Sequence, residues 1–191
     1  MPDGISPGPA LIIIDVQHAI GDPCWGQRNN LMAEANIARL LAAWRARDLP
    51  LVHIRHDSVV EGSPYAPGQP GHAFKPEAVP LEHERVMAKK TNNAFVGTRL
   101  EGHLRSRGIE EIIICGVLTQ HSVDTTARMG ASLGFVVQVV SDATAATEVT
   151  DARGIKWKAD DVHALTLAHL KADYAVVHTT DDVLAKLDKR T

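Results

Sequence analysis

Cysteine is scarce in this chain: Cys24 and Cys115 are the two among 191 residues. Two thiols exclude a disulfide framework and fit a reducing compartment. Basic residues are not in excess either, since 20 Lys and Arg stand against 23 Asp and Glu for a net charge of −3. Without a clustered cationic surface, nucleic-acid binding is not expected, and a small neutral or modestly charged ligand fits better. No apolar run approaches the roughly 18 residues needed to cross a bilayer. The opening MPDGISPGPA has neither a basic start nor the apolar stretch of a signal peptide. The expectation is a cytoplasmic protein with no membrane partner. What remains is average for a globular protein, 45% hydrophobic and 23% charged, and it is enough to bury one sizeable core, so a single domain over 1–191 is the default.

Four short runs rich in β-branched residues, ALIIIDV (10–16), LVHI (51–54), IIICGV (112–117) and FVVQVV (135–140), are nearly continuous in apolar character, and YAVVH (174–178) follows near the end. That pattern marks strands covered on both faces, as in a parallel sheet. Between them lie helical stripes, Ile37, Leu41 and Trp44 in one segment and Leu100 and Leu104 in another. Thr98 with Glu101 fits a capping box, Gly108 and Gly134 fit helix C-terminal stops, and Asp181 and Asp182 after Thr180 place acids in a first turn. Alternating strands and helices predict a three-layer α/β/α sandwich around a central, mostly parallel sheet with right-handed crossovers. The segment 57–83 collects Pro, Gly and Ser without periodicity. An irregular stretch of that length in a compact domain is a lid or a contact surface rather than a linker.

Three positions carry chemistry in this frame. Asp15 closes the first buried strand, where open α/β sheets bind ligands, and an acid there suits proton transfer or simply caps a turn. Ser122 stands where a helix begins after the 112–117 strand, near free N–H groups that favour an anionic nucleophile and a developing oxyanion; an ordinary N-cap serine has the same address. Lys89 and Lys90 form an adjacent pair that spacing alone does not separate, and most lysines are solvated.

Taken together, the segments resemble the isochorismatase-like hydrolase superfamily, also called cysteine hydrolases. The matching residues are Asp15-Val16-Gln17 closing strand one, Lys90 five residues before Phe95 in a K-x-x-x-A-F-x-G-T segment, and Gly116 to Val123 in a G-x-x-T-x-x-C-V segment. The resemblance runs from about 10 to 185 and takes in WGQRNN, HDS, TARM and SDATAA. It departs at one place: Ser122 stands where the family has its nucleophilic cysteine. The resemblance implies an Asp15–Lys90–Ser122 triad in which Asp15 moves the nucleophile's proton and Lys90 orients the carboxylate. It also implies an oxyanion hole from the N–H groups of Leu118 and Ser122 beside a cis peptide at Val117–Leu118, and a homodimer or homotetramer. No cofactor is expected.

Around the triad, Gln17, Trp25, Phe95 and His121 flank the reactive positions as substrate contacts, Phe95 fitting the core equally well. His121 projects about 100° from Ser122 on a helix, which suits pocket lining better than service as its base. His53, His56 and Asp57 look like the start of a metal site, but residues three apart on a strand face opposite sides, so no metal is expected. Cys115 reads as core and Cys24 as a minor nucleophile at the pocket mouth. The leading functional expectation is an amidohydrolase of a small carboxamide, ureido compound or cyclic amide, with Ser122 leaving the nucleophile impaired or deliberately inactivated. The alternatives are an enol-ether hydrolase of the isochorismatase type using Asp15 as its acid, and a binding protein without turnover.

Overall fold

The run ALIII becomes a strand, β1 (Ala10–Ile14), with all five residues buried, as a continuous apolar segment must when both faces of its sheet are covered. The computed structural model describes residues 8–189; residues 1–7, most of the stretch read for a leader, and 190–191 lie outside the described residues. After β1 come α1 (Ala33–Ala46), β2 (Leu51–His56), β3 (Arg85–Lys89), α2 (Leu100–Ser106), β4 (Glu111–Val117) and α3 (Asp124–Ser132). There follow β5 (Val136–Ala145), a small hairpin of β6 (Val149–Thr150) and β7 (Lys156–Trp157), then α4 (Ala159–Asp173), β8 (Val176–His178) and α5 (Thr180–Asp188). Six strands form one parallel sheet in the order β3-β2-β1-β4-β5-β8.

Alternation along β1 sends Ala10, Ile12 and Ile14 into one core and Leu11 and Ile13 into the other. Leu100 and Leu104 of α2, Ala127 of α3 and Leu170 of α4 close the first. Ile37, Leu41 and Trp44 of α1 close the second with Val183 and Leu187 of α5. Trp44 is fully buried, and its indole N–H donates to the Pro9 carbonyl at 3.0 Å, which removes the cost of a lone buried donor. The three layers are those expected, and no described helix is long and apolar enough to cross a membrane.

Two local details depart from the sequence reading. β3 has no counterpart in the sequence reading, because this edge strand is exposed at Arg85, Val86 and Ala88 and shows no apolar run. The Thr98–Glu101 box does not form: α2 starts at Leu100, whose N–H reaches Thr98 Oγ1 at 3.2 Å while that hydroxyl donates to the Ala94 carbonyl at 2.6 Å. A reciprocal box closes instead at Thr179 and Asp182 at the start of α5. Gly108 and Gly134 do end α2 and α3, with φ of 68° and 86°.

The chain reverses direction of growth at β1, which pairs with β2 on one side and β4 on the other. Strand ends part at such a switch point and leave a crevice. Gly116 makes the join between β1 and β4 there. Its φ is 120°, and a Cβ at this position would overlap the Ile14 carbonyl oxygen and amide nitrogen. Gly116→Ala should therefore cost about 2–6 kcal/mol from strain plus overpacking, read as a lowered urea midpoint. Gly108→Ala, left-handed as well but with open space around it, should cost only the backbone strain of about 1–2 kcal/mol. Equal midpoints for the two variants would contradict the close approach.

Candidate active site

Asp15 follows β1 directly and adopts φ 55°. Its amide donates to the Ile54 carbonyl at 2.9 Å, and its own carbonyl accepts from Gln17 N–H at 2.8 Å and from the Tyr65 hydroxyl at 3.3 Å. The left-handed turn thus aims the side chain out of the sheet's end while the backbone stays tied. Its carboxylate is almost wholly buried, at 4% exposure of the residue.

The lysine that meets it is Lys89, not Lys90. Lys89 is the last residue of β3, paired in register with His56 of β2, and only 1% exposed. Its Nζ lies 2.6 Å from Asp15 Oδ2, 3.0 Å from Ser122 Oγ and 3.3 Å from His56 Nδ1. An ammonium has three N–H donors and no acceptor, so these three contacts use all of them. Lys90, one residue past the strand, is exposed. Strand parity decides between the neighbours, since successive side chains point to opposite faces.

Ser122, 4% exposed, sits in a wide helical turn over Thr119–Val123 that runs on into α3. Leu118 precedes that turn, and the Val117–Leu118 peptide is cis, as the resemblance implies. The Leu118 carbonyl accepts from the N–H groups of His121 and Val123 at 3.1 and 3.2 Å. Burial raises the pKa of Asp15, opposed by the charge and hydrogen bond of Lys89 and by the Ser122 hydroxyl. Its Oδ1 is buried without a geometrically formed hydrogen bond, which leaves a lone pair for an incoming proton. Burial and then the Lys89 charge push His56 down to about 4, so its ring is neutral and Nδ1 can accept from the ammonium.

Above these groups lies a cavity of about 400 Å³. Trp25 and His121 line it, as expected. So does Cys24, whose thiol is pushed up to about 11 by burial and by the hydrogen bond and charge of Asp22, which leaves it a poor nucleophile. Cys115 is buried in the second core. The long segment supplies one wall, with Ser58 and residues 60–65 facing the cavity. Tyr65 packs edge-on against Trp25 and His56 with ring centres 5.9 and 5.5 Å away. The far end of the segment is stitched back to the chain after β1: His18 N–H donates to the Ala73 carbonyl at 2.9 Å and Lys75 N–H to Val16 at 3.0 Å.

Two expected substrate contacts are elsewhere. Gln17 is fully buried; its Nε2 donates to the His56 and His72 carbonyls at 3.1 and 2.8 Å, and its Oε1 accepts from His56 N–H at 2.7 Å. It is a clamp between strand ends and the wall. Phe95 stacks on Phe135 and packs against the first core. His53 turns away from His56 into a bond with Glu84 at 2.9 Å, while Asp57 takes Arg55 and His72. Among the described residues no group of three His, Cys, Asp or Glu is placed to hold a metal. Sequence reasoning missed Tyr65, took Lys90 from the pair in which Lys89 is the buried member, and weighed His56 only as a metal ligand. The single cue to Tyr65 was an aromatic ring in a segment of Gly, Pro and Ser.

Comparison with known proteins agrees with this fold. The family model described as the isochorismatase domain matches residues 9–182. A crystal structure of an isochorismatase-family protein from Chromobacterium violaceum superposes with a TM-score of 0.93 at 49% identity, covering 99% of this chain and 100% of the other. The isochorismatase-family protein YrdC of Bacillus subtilis is 39% identical over 175 residues, 92% of this chain and 94% of that one. Streptothricin hydrolase of Streptomyces noursei is 32% identical over 152 residues, 79% of this chain and 60% of its own length.

The two lysines make opposite predictions. Lys89→Met would strand the buried Asp15 without its partner and should cost about 3–5 kcal/mol. Lys90→Met should stay within about 0.5 kcal/mol. Urea unfolding of both variants checks this, and the reverse order would return Lys90 to the site.

Proposed function

The chain belongs to the isochorismatase family of hydrolases, and from that premise we propose that it cleaves the C–N bond of a small carboxamide, ureido compound or cyclic amide through Asp15, Lys89 and Ser122. One observation carries the reading: a single buried ammonium touches both the carboxylate and the hydroxyl, at 2.6 and 3.0 Å, on the floor of a substrate-sized cavity. A relative that hydrolyses streptothricin supports hydrolysis of this general kind.

In this reading Asp15 takes the Ser122 proton on Oδ1 as Oγ attacks the amide carbonyl carbon. The backbone N–H groups of Leu118 and Ser122 receive the oxyanion. On collapse the C–N bond breaks, Asp15 returns the proton to the departing nitrogen, and an acyl ester remains on Ser122. Water then attacks the ester carbonyl, giving one proton to Asp15, which passes it to Ser122 Oγ as the acid leaves. Lys89 holds carboxylate and hydroxyl in place throughout. A raised Asp15 pKa helps the base accept a proton but does not make a hydroxyl as acidic as a thiol, whose ordinary pKa is about 8.5. Slow turnover is the consequence. The same raised pKa also suits a second reading, in which protonated Asp15 donates to the vinyl carbon of an enol ether and no nucleophile is needed.

Ser122→Cys should raise ammonia release from an amide panel by orders of magnitude, with an acyl thioester visible by mass spectrometry. The exchange is near isosteric and should change stability by less than about 1.5 kcal/mol. Asp15→Asn should abolish turnover in both backgrounds. A folded Ser122→Cys protein with no gain on amides, beside a serine form that releases pyruvate from isochorismate, would replace the amide reading with the enol-ether one.

A further inference from the structure

The cavity carries one charge that the proposed reaction does not use. Glu61, exposed on the 57–83 wall, lines the cavity and has no hydrogen bond or ion pair among the described residues. No lysine or arginine lines the cavity with it. Lys89, buried behind Asp15, His56 and Ser122, has its three protons committed to those residues. Arg28 and Lys75 are both held by Glu34, at 2.6 Å each.

The remaining polar groups are uncharged at neutral pH. His56 is held neutral by burial and Lys89, the His121 pKa is lowered by burial, and the Cys24 thiol stays protonated. Asp15 and Lys89 compensate each other. What faces a ligand is therefore an acidic rim over the aromatic rings of Trp25 and Tyr65. Ring faces and a carboxylate attract a cation. An anion entering here would leave water without finding a counter-charge, and would approach Glu61.

We infer that the pocket selects by charge: it admits small amides with an uncharged or cationic body and turns away carboxylates, with Glu61 as the specificity-determining residue. The word amide rests on the proposed function, whereas the charge preference rests on the lining alone. A dicarboxylate such as isochorismate falls on the excluded side.

Three benzamides of similar size test this, 4-(aminomethyl)benzamide, 4-methylbenzamide and 4-carbamoylbenzoate, each titrated calorimetrically into the serine protein at pH 7. The cationic and neutral probes should bind at least about tenfold more tightly than the carboxylate. Glu61→Gln should erase the advantage of the cation over the neutral probe, and Glu61→Lys should bring the carboxylate to the front. Equal or tighter binding of the carboxylate to the unaltered protein overturns the inference. So does an order that Glu61→Lys leaves unchanged, or the absence of binding by all three at millimolar concentration. Ammonia release by the Ser122→Cys protein is read separately. If the charge order holds and no probe is hydrolysed, the amide reading falls while charge selection stands; if all three are hydrolysed with equal efficiency, charge selection falls and the amide reading stands.

Discussion

A lysine ammonium shut away from water needs acceptors for three protons, and that requirement organises this end of the molecule. Lys89 finds them on three different elements: Asp15 after β1, His56 at the end of β2 and Ser122 beyond β4. The four strands involved are consecutive neighbours in the sheet, so the strand order is what lets an edge-strand side chain reach the central crevice. Removing two charges from water costs several kcal/mol per ion, and their attraction only offsets this when the geometry is good. The pair is better understood as a positioning device than as a source of stability. It fixes where a proton acceptor stands relative to a hydroxyl.

How far the sequence disclosed this depends on how each element meets water. β1 and β4 are buried on both faces, so their apolar runs were plain, and with them the residues that follow, Asp15 and Ser122. β3 lies at the sheet edge with three of its five residues exposed, and an edge strand carries no continuous apolar signature. Once β3 was missed, the parity that buries Lys89 and exposes Lys90 was not available. Gln17 misled for a related reason: a polar residue two places after a reactive acid looks like a ligand contact, yet its amide is spent on the His56 and His72 backbone. Partners 39 and 55 residues away leave no trace in local spacing.

The wall segment shows the same division. Its length and composition marked it as a surface that covers something, whereas the identity of the inward residues depended on how it folds back. Tyr65 faces the site because its hydroxyl meets the carbonyl of Asp15, and Glu61 lies at the rim within the turn that Ser63 N–H closes on the Val60 carbonyl. A serine where the family resemblance implies a thiol adds a chemical restriction to this steric one. The hydroxyl leaves the shape of the floor nearly unchanged but demands more of its base.

The Gln17 clamp has a consequence for how such a site changes over time. Gln17 pins the start of the wall at His56 and its far side at His72, and the backbone pairing of 16–18 with 73–75 secures the same far side. Both anchors are made to main-chain atoms, which any sequence supplies. Residues 57–71 therefore form a cassette with fixed ends: apart from Tyr65, which ties the Asp15 carbonyl, and Gly71, where a side chain would press on the Pro64 carbonyl, its interior can be rewritten while the carboxylate, ammonium and hydroxyl keep their places. Diversification of one hydrolytic centre toward new molecules can then proceed through one wall of the cavity, with the reactive machinery inherited intact.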